Sequence, residues 1–257
     1  MARTHLRRLP LAGPLAAVLL ATGCTLPIFD RDTGPDDRGG TSPAGSAANW
    51  RPCPEVPREL VGRTAPDMRY DCATISVPGD WTAAGTAGAG GGNGTGEFEI
   101  ALLRIRSTKQ RDRIGSLLVN PGGPGASGID SAVYLTFGPA FGGLPEEITR
   151  RFDIVGFDPR GVGRSSPIKC VSDADLDASF GYEPDPESQA EFDGLVALNR
   201  RIGEACGDRY GSRLRLYATE QAARDMDAIR IAVGDEKLSY LGYSYGTLLG
   251  ATYAQLF

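Results

Sequence analysis

The chain has 257 residues, 41% of them hydrophobic, and carries 27 basic against 32 acidic side chains for a formal charge of −5. No block of basic residues with interleaved aromatics occurs, which argues against nucleic acid as a partner; the acidic balance suits a soluble exported domain. The only histidine is His5, so any chemistry in the body of the chain that needs imidazole has no local source.

Residues 1–23 read as an export signal. Arg3, Arg7 and Arg8 form a positive start. The apolar run Leu9 to Ala21 is broken by Pro10 and Pro14 and is too short to span a bilayer. Ala21-Thr22-Gly23-Cys24 places small residues before a cysteine, as in a bacterial lipoprotein signal cleaved before Cys24 and lipidated on its sulfur. Leu20 stands one place earlier than the leucine usual in that pattern. An ordinary secretory signal is the alternative. Either way the protein leaves the cytoplasm, as a lipid-anchored protein on the outer face of the membrane or as a secreted one. Loss of the leader brings the balance to 24 basic against 32 acidic residues.

Residues 24–49 are rich in Gly, Pro, Asp, Ser and Ala. They bury too little apolar surface to offset chain entropy and read as a disordered tether leading to a domain over 50–257. Within that domain Cys53, Cys72, Cys170 and Cys206 are disulfide candidates, an even set in an exported chain. Sequence order favours Cys53–Cys72 and Cys170–Cys206 among three possible pairings. With no CxxC pair and no nearby histidine, a zinc site is not expected, nor is any other metal or cofactor.

From residue 70 the elements alternate. Tyr70 to Val77, Phe98 to Ile105, Ser116 to Val119, Phe152 to Phe157 and Lys237 to Leu241 read as strands. Ala83 to Gly96, between the first two of these, is a Gly-rich low-complexity loop that reads as a flexible hairpin connection. Gln189 to Cys206 has helical spacing in Phe192, Leu195, Val196 and Ile202. Thr219 to Val233 is a clearer helix, with Thr219 expected as N-cap, an apolar face of Ala222, Met226, Ile229 and Val233, and Gly234 ending it. A last helix is expected over 247–254. Strands alternating with helices imply a mostly parallel sheet covered on both faces, with ligands at the carboxyl ends of its strands.

Gly242-Tyr243-Ser244-Tyr245-Gly246 lies between the strand to Leu241 and the final helix. It reads as a nucleophile elbow, a strained turn that presents a serine for covalent catalysis. Acyl transfer also needs two backbone N–H groups aimed at the developing oxyanion. The candidates are Tyr245, which follows the serine, and Gly123 in the loop Asn120-Pro121-Gly122-Gly123-Pro124-Gly125. Gly123 to Gly128 also satisfies GxGxxG, but the acid that should follow, Asp158, comes about ten residues later than a dinucleotide site requires. Asp158-Pro159-Arg160-Gly161-Val162-Gly163-Arg164-Ser165 after the next strand reads as a tight structural loop whose Asp and Arg can pair. Asp173-Ala174-Asp175-Leu176-Asp177 resembles a calcium loop without its turn glycine and final glutamate, so a helix capped by Ser172 is the better reading.

Three segments in order, Ile114 to Gly125, Phe152 to Gly161 and Leu241 to Thr247, resemble the α/β-hydrolase fold. They are more closely similar to the exported actinobacterial serine exopeptidases of the tripeptidyl-aminopeptidase type, relatives of proline iminopeptidase. The resemblance covers about residues 50–257. It implies that Ser244 attacks a peptide carbonyl near a free N-terminus, forms an acyl-enzyme and releases short N-terminal peptides, with the N–H groups of Gly123 and Tyr245 as the oxyanion hole. It also implies later strands, a helical lid, and a triad Asp and His after Ser244. These are missing from this chain, so the expectation is the N-terminal part of such an enzyme, inactive alone, with its last strand an open edge. Two other readings use the same residues: an exported esterase or lipase of the same fold, and a non-catalytic surface scaffold.

Overall fold

The computed structural model describes residues 45–65, 67–84, 96–183 and 185–257. The segment read as an export signal, Cys24, most of the stretch read as a tether and most of the 83–96 loop lie outside the described residues. The strands are β1 (Arg51–Pro52), β2 (Met68–Pro78), β3 (Glu97–Ser107), β4 (Gly115–Asn120), β5 (Phe152–Phe157) and β6 (Ser239–Gly242). The α-helices are α1 (Glu55–Val61), α2 (Trp81–Ala84), α3 (Gly128–Leu135), α4 (Glu146–Arg151), α5 (Asp173–Gly181), α6 (Gln189–Tyr210), α7 (Thr219–Val233) and α8 (Tyr245–Leu256).

One six-stranded sheet has the order β1-β2-β3-β5-β4-β6. Its core, β5-β4-β6, is parallel. β1, β2 and β3 extend it antiparallel, and β3 joins β5 antiparallel. The division follows from composition. β4 and β5 are short, nearly continuous apolar runs buried on both faces, as parallel strands must be. β2 alternates buried and half-buried residues. Among the described residues, β6 pairs only with β4 and forms one edge of the sheet.

Helices cover both faces. On one, Ala222, Met226 and Ile229 of α7 and Leu249 of α8 pack on Ile75, Ile100, Leu102, Leu118, Val155 and Phe157. On the other, Val56, Ile129, Val133 and Ile148 meet Leu103, Ile105, Val119 and Ile154. The cysteines pair as Cys53–Cys72 and Cys170–Cys206, with Cα atoms 5.7 and 4.8 Å apart. No helix among the described residues is long and apolar enough to cross a membrane.

Four expectations need correction or refinement. Thr219 does not cap α7: Ala218 is the N-cap and makes no side-chain cap bond, while the Thr219 hydroxyl meets the Tyr245 phenol at 2.8 Å. Within the 158–165 loop Asp158 faces Arg164, whose Nη1 stands 3.8 Å from its Oδ2, and not Arg160. Arg160 is buried against α7, where its Nε and Nη2 bond Asp225 at 2.7 and 2.6 Å. The end of the tether is docked, since the Ala48 N–H donates to the Ala232 carbonyl at 2.9 Å. The helices α6 and α8 run further than their apolar spacing indicated. Ser172 does cap α5, accepting from the Asp175 N–H at 3.1 Å.

Candidate active site

Parallel strands share a direction, so the loops leaving β4, β5 and β6 gather at one end of the sheet. β6 enters a turn at Tyr243, whose N–H donates to the Asn120 carbonyl at the end of β4 (3.1 Å). Ser244 then adopts φ 51° and ψ −125°, a left-handed conformation costly for a residue with a Cβ, and starts α8 as its N-cap. The turn is closed by the Gly246 N–H donating to the Tyr243 carbonyl (2.7 Å). It works only with small residues. A Cβ on Gly242 would lie 2.5 Å from the Gly246 carbonyl oxygen, and one on Gly246 would lie 2.8 Å from that of Asn120.

The Ser244 side chain is solvent-exposed, and its hydroxyl has no hydrogen-bond partner among the described residues. It sits at the N-terminus of the twelve-residue α8, where the first N–H groups and the helix dipole favour negative charge. The Tyr245 N–H, the first of that helix, has no acceptor among the described residues. Below the turn, the Tyr240 phenol donates to the Gly246 carbonyl (2.9 Å), and burial raises its pKa.

The loop after β4 rests against this turn. Gly122 takes φ +96°, and a Cβ there would lie 2.5 Å from the Tyr243 carbonyl oxygen and 2.9 Å from the Tyr245 nitrogen. The Gly122 N–H is spent on the Asn120 Oδ1 atom (2.9 Å). Gly123, exposed with φ +106°, is therefore the next N–H of the loop and has no acceptor among the described residues. Ser244, Tyr245 and the loop carrying Gly123 are thus brought to one place. The arrangement offers an accessible hydroxyl at a helix N-terminus, with a glycine loop packed against the same turn through Gly122.

Two contributors were missed in the sequence. Asn120 braces loop and elbow together, with its backbone carbonyl on Tyr243 and its side chain on Gly122; a polar residue ending an apolar strand is the signal that could have found it. Asp225 is the second, and it holds α7 through Arg160 without reaching the elbow. It lies on the apolar face of α7 between Ala222 and Ile229, and a lone carboxylate there requires a buried partner.

Residues 115–257 match the family model described as alpha/beta hydrolase fold. The chain is 37% identical to the serine protease Hip1 of Mycobacterium tuberculosis over 262 aligned residues, which cover 98% of this chain and 44% of that protein. It is 43% identical to the tripeptidyl aminopeptidase of Streptomyces coelicolor over 159 residues, 62% of this chain and 29% of the relative. It is 39% identical to carboxylesterase B of Mycobacterium tuberculosis over 224 residues, 85% and 38% respectively. The chain therefore spans less than half the length of these relatives. The family match over more than half of the chain, on a sheet whose parallel strands β4 and β6 lead into the glycine loop and the elbow, shows that the chain belongs to the α/β-hydrolase family.

Proposed function

We propose that the protein is a serine hydrolase acting on peptides, with Ser244 as nucleophile and the N–H groups of Tyr245 and Gly123 as the oxyanion hole. The observation that carries this is Ser244 itself: an exposed serine held at φ 51° where β6 turns into α8, with Gly122 packed against the turn. Backbone strain of this kind persists only where surrounding structure enforces it. In the reaction the Ser244 Oγ attacks the substrate carbonyl carbon, a base takes its proton, the carbonyl oxygen becomes the oxyanion, and the amine leaves with a proton to give an acyl-enzyme that water cleaves. The chain spans less than half the length of these relatives, and no histidine lies among the described residues.

Exopeptidase action on free N-termini is the finer reading, supported by the likeness to a tripeptidyl aminopeptidase. Export is supported by the two disulfides, and a lipid anchor on Cys24 would hold the protein at the membrane. The similarity to a carboxylesterase favours a second reading, an exported esterase on the same scaffold. One experiment separates them. In the complete gene product, a fluorophosphonate should label Ser244 and fail to label Ser244→Ala, and aminoacyl-peptide anilides should be turned over faster than short acyl esters. Turnover of esters alone would remove the peptidase reading; absence of labelling would leave only a non-catalytic scaffold.

A further inference from the structure

The segment between β4 and α3 carries four consecutive exposed residues, Gly123 to Ala126, two of them glycines with positive φ. Such a stretch has little intrinsic rigidity, yet an oxyanion donor must be fixed before the substrate arrives. The loop is fixed at both ends. At its start, Asn120 accepts the Gly122 N–H and Gly122 lies against the elbow. At its end, the fixing group comes from a different strand. Asp158, at the end of β5 and wholly buried, accepts the Ser127 hydroxyl (2.5 Å) and the Ile129 N–H (3.3 Å) on Oδ1, and the Arg164 N–H (2.8 Å) on Oδ2.

Ser127 is the hinge of this arrangement. Its Oγ donates to Asp158 while accepting from the Asp130 N–H at 3.1 Å, so one hydroxyl both caps α3 and ties the loop to β5. Arg164 closes the ring: its backbone holds the other oxygen of Asp158, and its Nη1 reaches Asp130 of α3 at 3.2 Å. Among the described residues Asp158 has no side-chain cation within 3.5 Å; the Arg164 guanidinium stands at 3.8 Å. A buried carboxylate held chiefly by a hydroxyl and two backbone N–H groups is expensive to keep. Its bonds go to the exit of the glycine loop and to its own following loop.

We propose that Asp158 is a positioning residue, holding the 121–127 loop through Ser127 so that the Gly123 N–H is presented beside Ser244. The inference rests on the serine-hydrolase reading above. It makes Asp158 act through the loop, without touching substrate.

The test uses the complete gene product, with active enzyme counted by fluorophosphonate titration. Asp158→Asn keeps the shape but places an amide N–H against one of its donors; Ser127→Ala removes only the link to the loop and is the milder change. Both should lower kcat, by about 10- to 100-fold for Asp158→Asn and less for Ser127→Ala, with KM within about threefold of the wild type. Affinity for a peptide boronic acid, which mimics the tetrahedral adduct, should fall by the same factor as kcat/KM. A variant with a lower melting temperature but unchanged kcat per titrated site and unchanged boronate affinity would show a purely structural carboxylate and overturn the proposal. A wild-type enzyme that neither labels nor turns over would overturn the hydrolase reading, and this role with it.

Discussion

Gly122 is the residue at which the two halves of the candidate site touch. A methyl group there meets backbone on both sides, the Tyr243 carbonyl oxygen at 2.5 Å and the Tyr245 nitrogen at 2.9 Å, and backbone cannot swing away as a side-chain tip can. Gly125 provides the control, because its φ of +106° is as unfavourable for alanine while nothing lies within 4 Å of its Cβ position. Gly125→Ala should therefore cost only the conformational term, about 1 kcal/mol. Gly122→Ala should cost about 2–4 kcal/mol, since overpacking adds to strain. Urea unfolding of both variants measures the difference, and equal costs would mean that the loop does not rest on the elbow. At this scale the sequence was most legible where chemistry dictates spacing: Gly242, Ser244 and Gly246 announce themselves. Asn120 did not, because its bond to Tyr243 depends on β4 and β6 lying side by side, 119 residues or more apart in the chain.

Among the elements, α7 was read from its periodicity at its full extent, Thr219–Val233, and its termination at Gly234 follows from an αL glycine. Its start was not legible: the threonine expected to cap it turns its hydroxyl to Tyr245 instead. Nor was the attachment of α7 to the rest of the fold. Asp225 and Arg160 meet in a bidentate pair with both side chains 1% exposed. The remaining guanidinium N–H groups donate to the carbonyls of Gly79, Leu216 and Pro78. Trp81 Nε1 completes the shell of Asp225 at 2.8 Å. Removing one charge leaves the other buried and unpaired, which costs about 3–5 kcal/mol, whereas removing both can be nearly neutral. Arg160→Met alone is thus expected to lower stability by that amount, and adding Asp225→Leu to recover most of it. A double-mutant cycle by chemical denaturation reads this directly; additive losses would show that the pair does not act as a unit. The antiparallel pairing of β2 with β3 was legible as a hairpin across the Gly-rich loop, whereas the antiparallel joins of β1 to β2 and of β3 to β5 were not.

For the molecule as a whole, acid stability is governed by carboxylates that gain or lose on folding, and these pull in opposite directions. Asp80, at the junction of β2, α2 and α7, is 3% exposed. It accepts from the Thr82 hydroxyl (2.6 Å), the Thr82 N–H (2.9 Å), Gln221 Nε2 (3.1 Å) and the Arg215 guanidinium. The Thr82 hydroxyl and then Arg215 hold its carboxyl well below the usual carboxylate range. A depressed folded value means that the unfolded chain binds the proton more readily. The stability from Asp80 is then complete above its unfolded-state value of about 4 and drains away as the pH falls below it. Asp158 has the opposite sign, because burial raises its pKa and folding favours its proton, so its charge weighs against the fold as the pH rises. Asp80→Asn is accordingly expected to lower the melting temperature at about pH 7 and to flatten its decline between about pH 5 and pH 3, so that mutant and wild-type curves converge in acid. Thermal unfolding followed by circular dichroism across that range tests it. Two parallel curves, displaced by a constant amount, would mean that Asp80 contributes through contacts that do not depend on its charge.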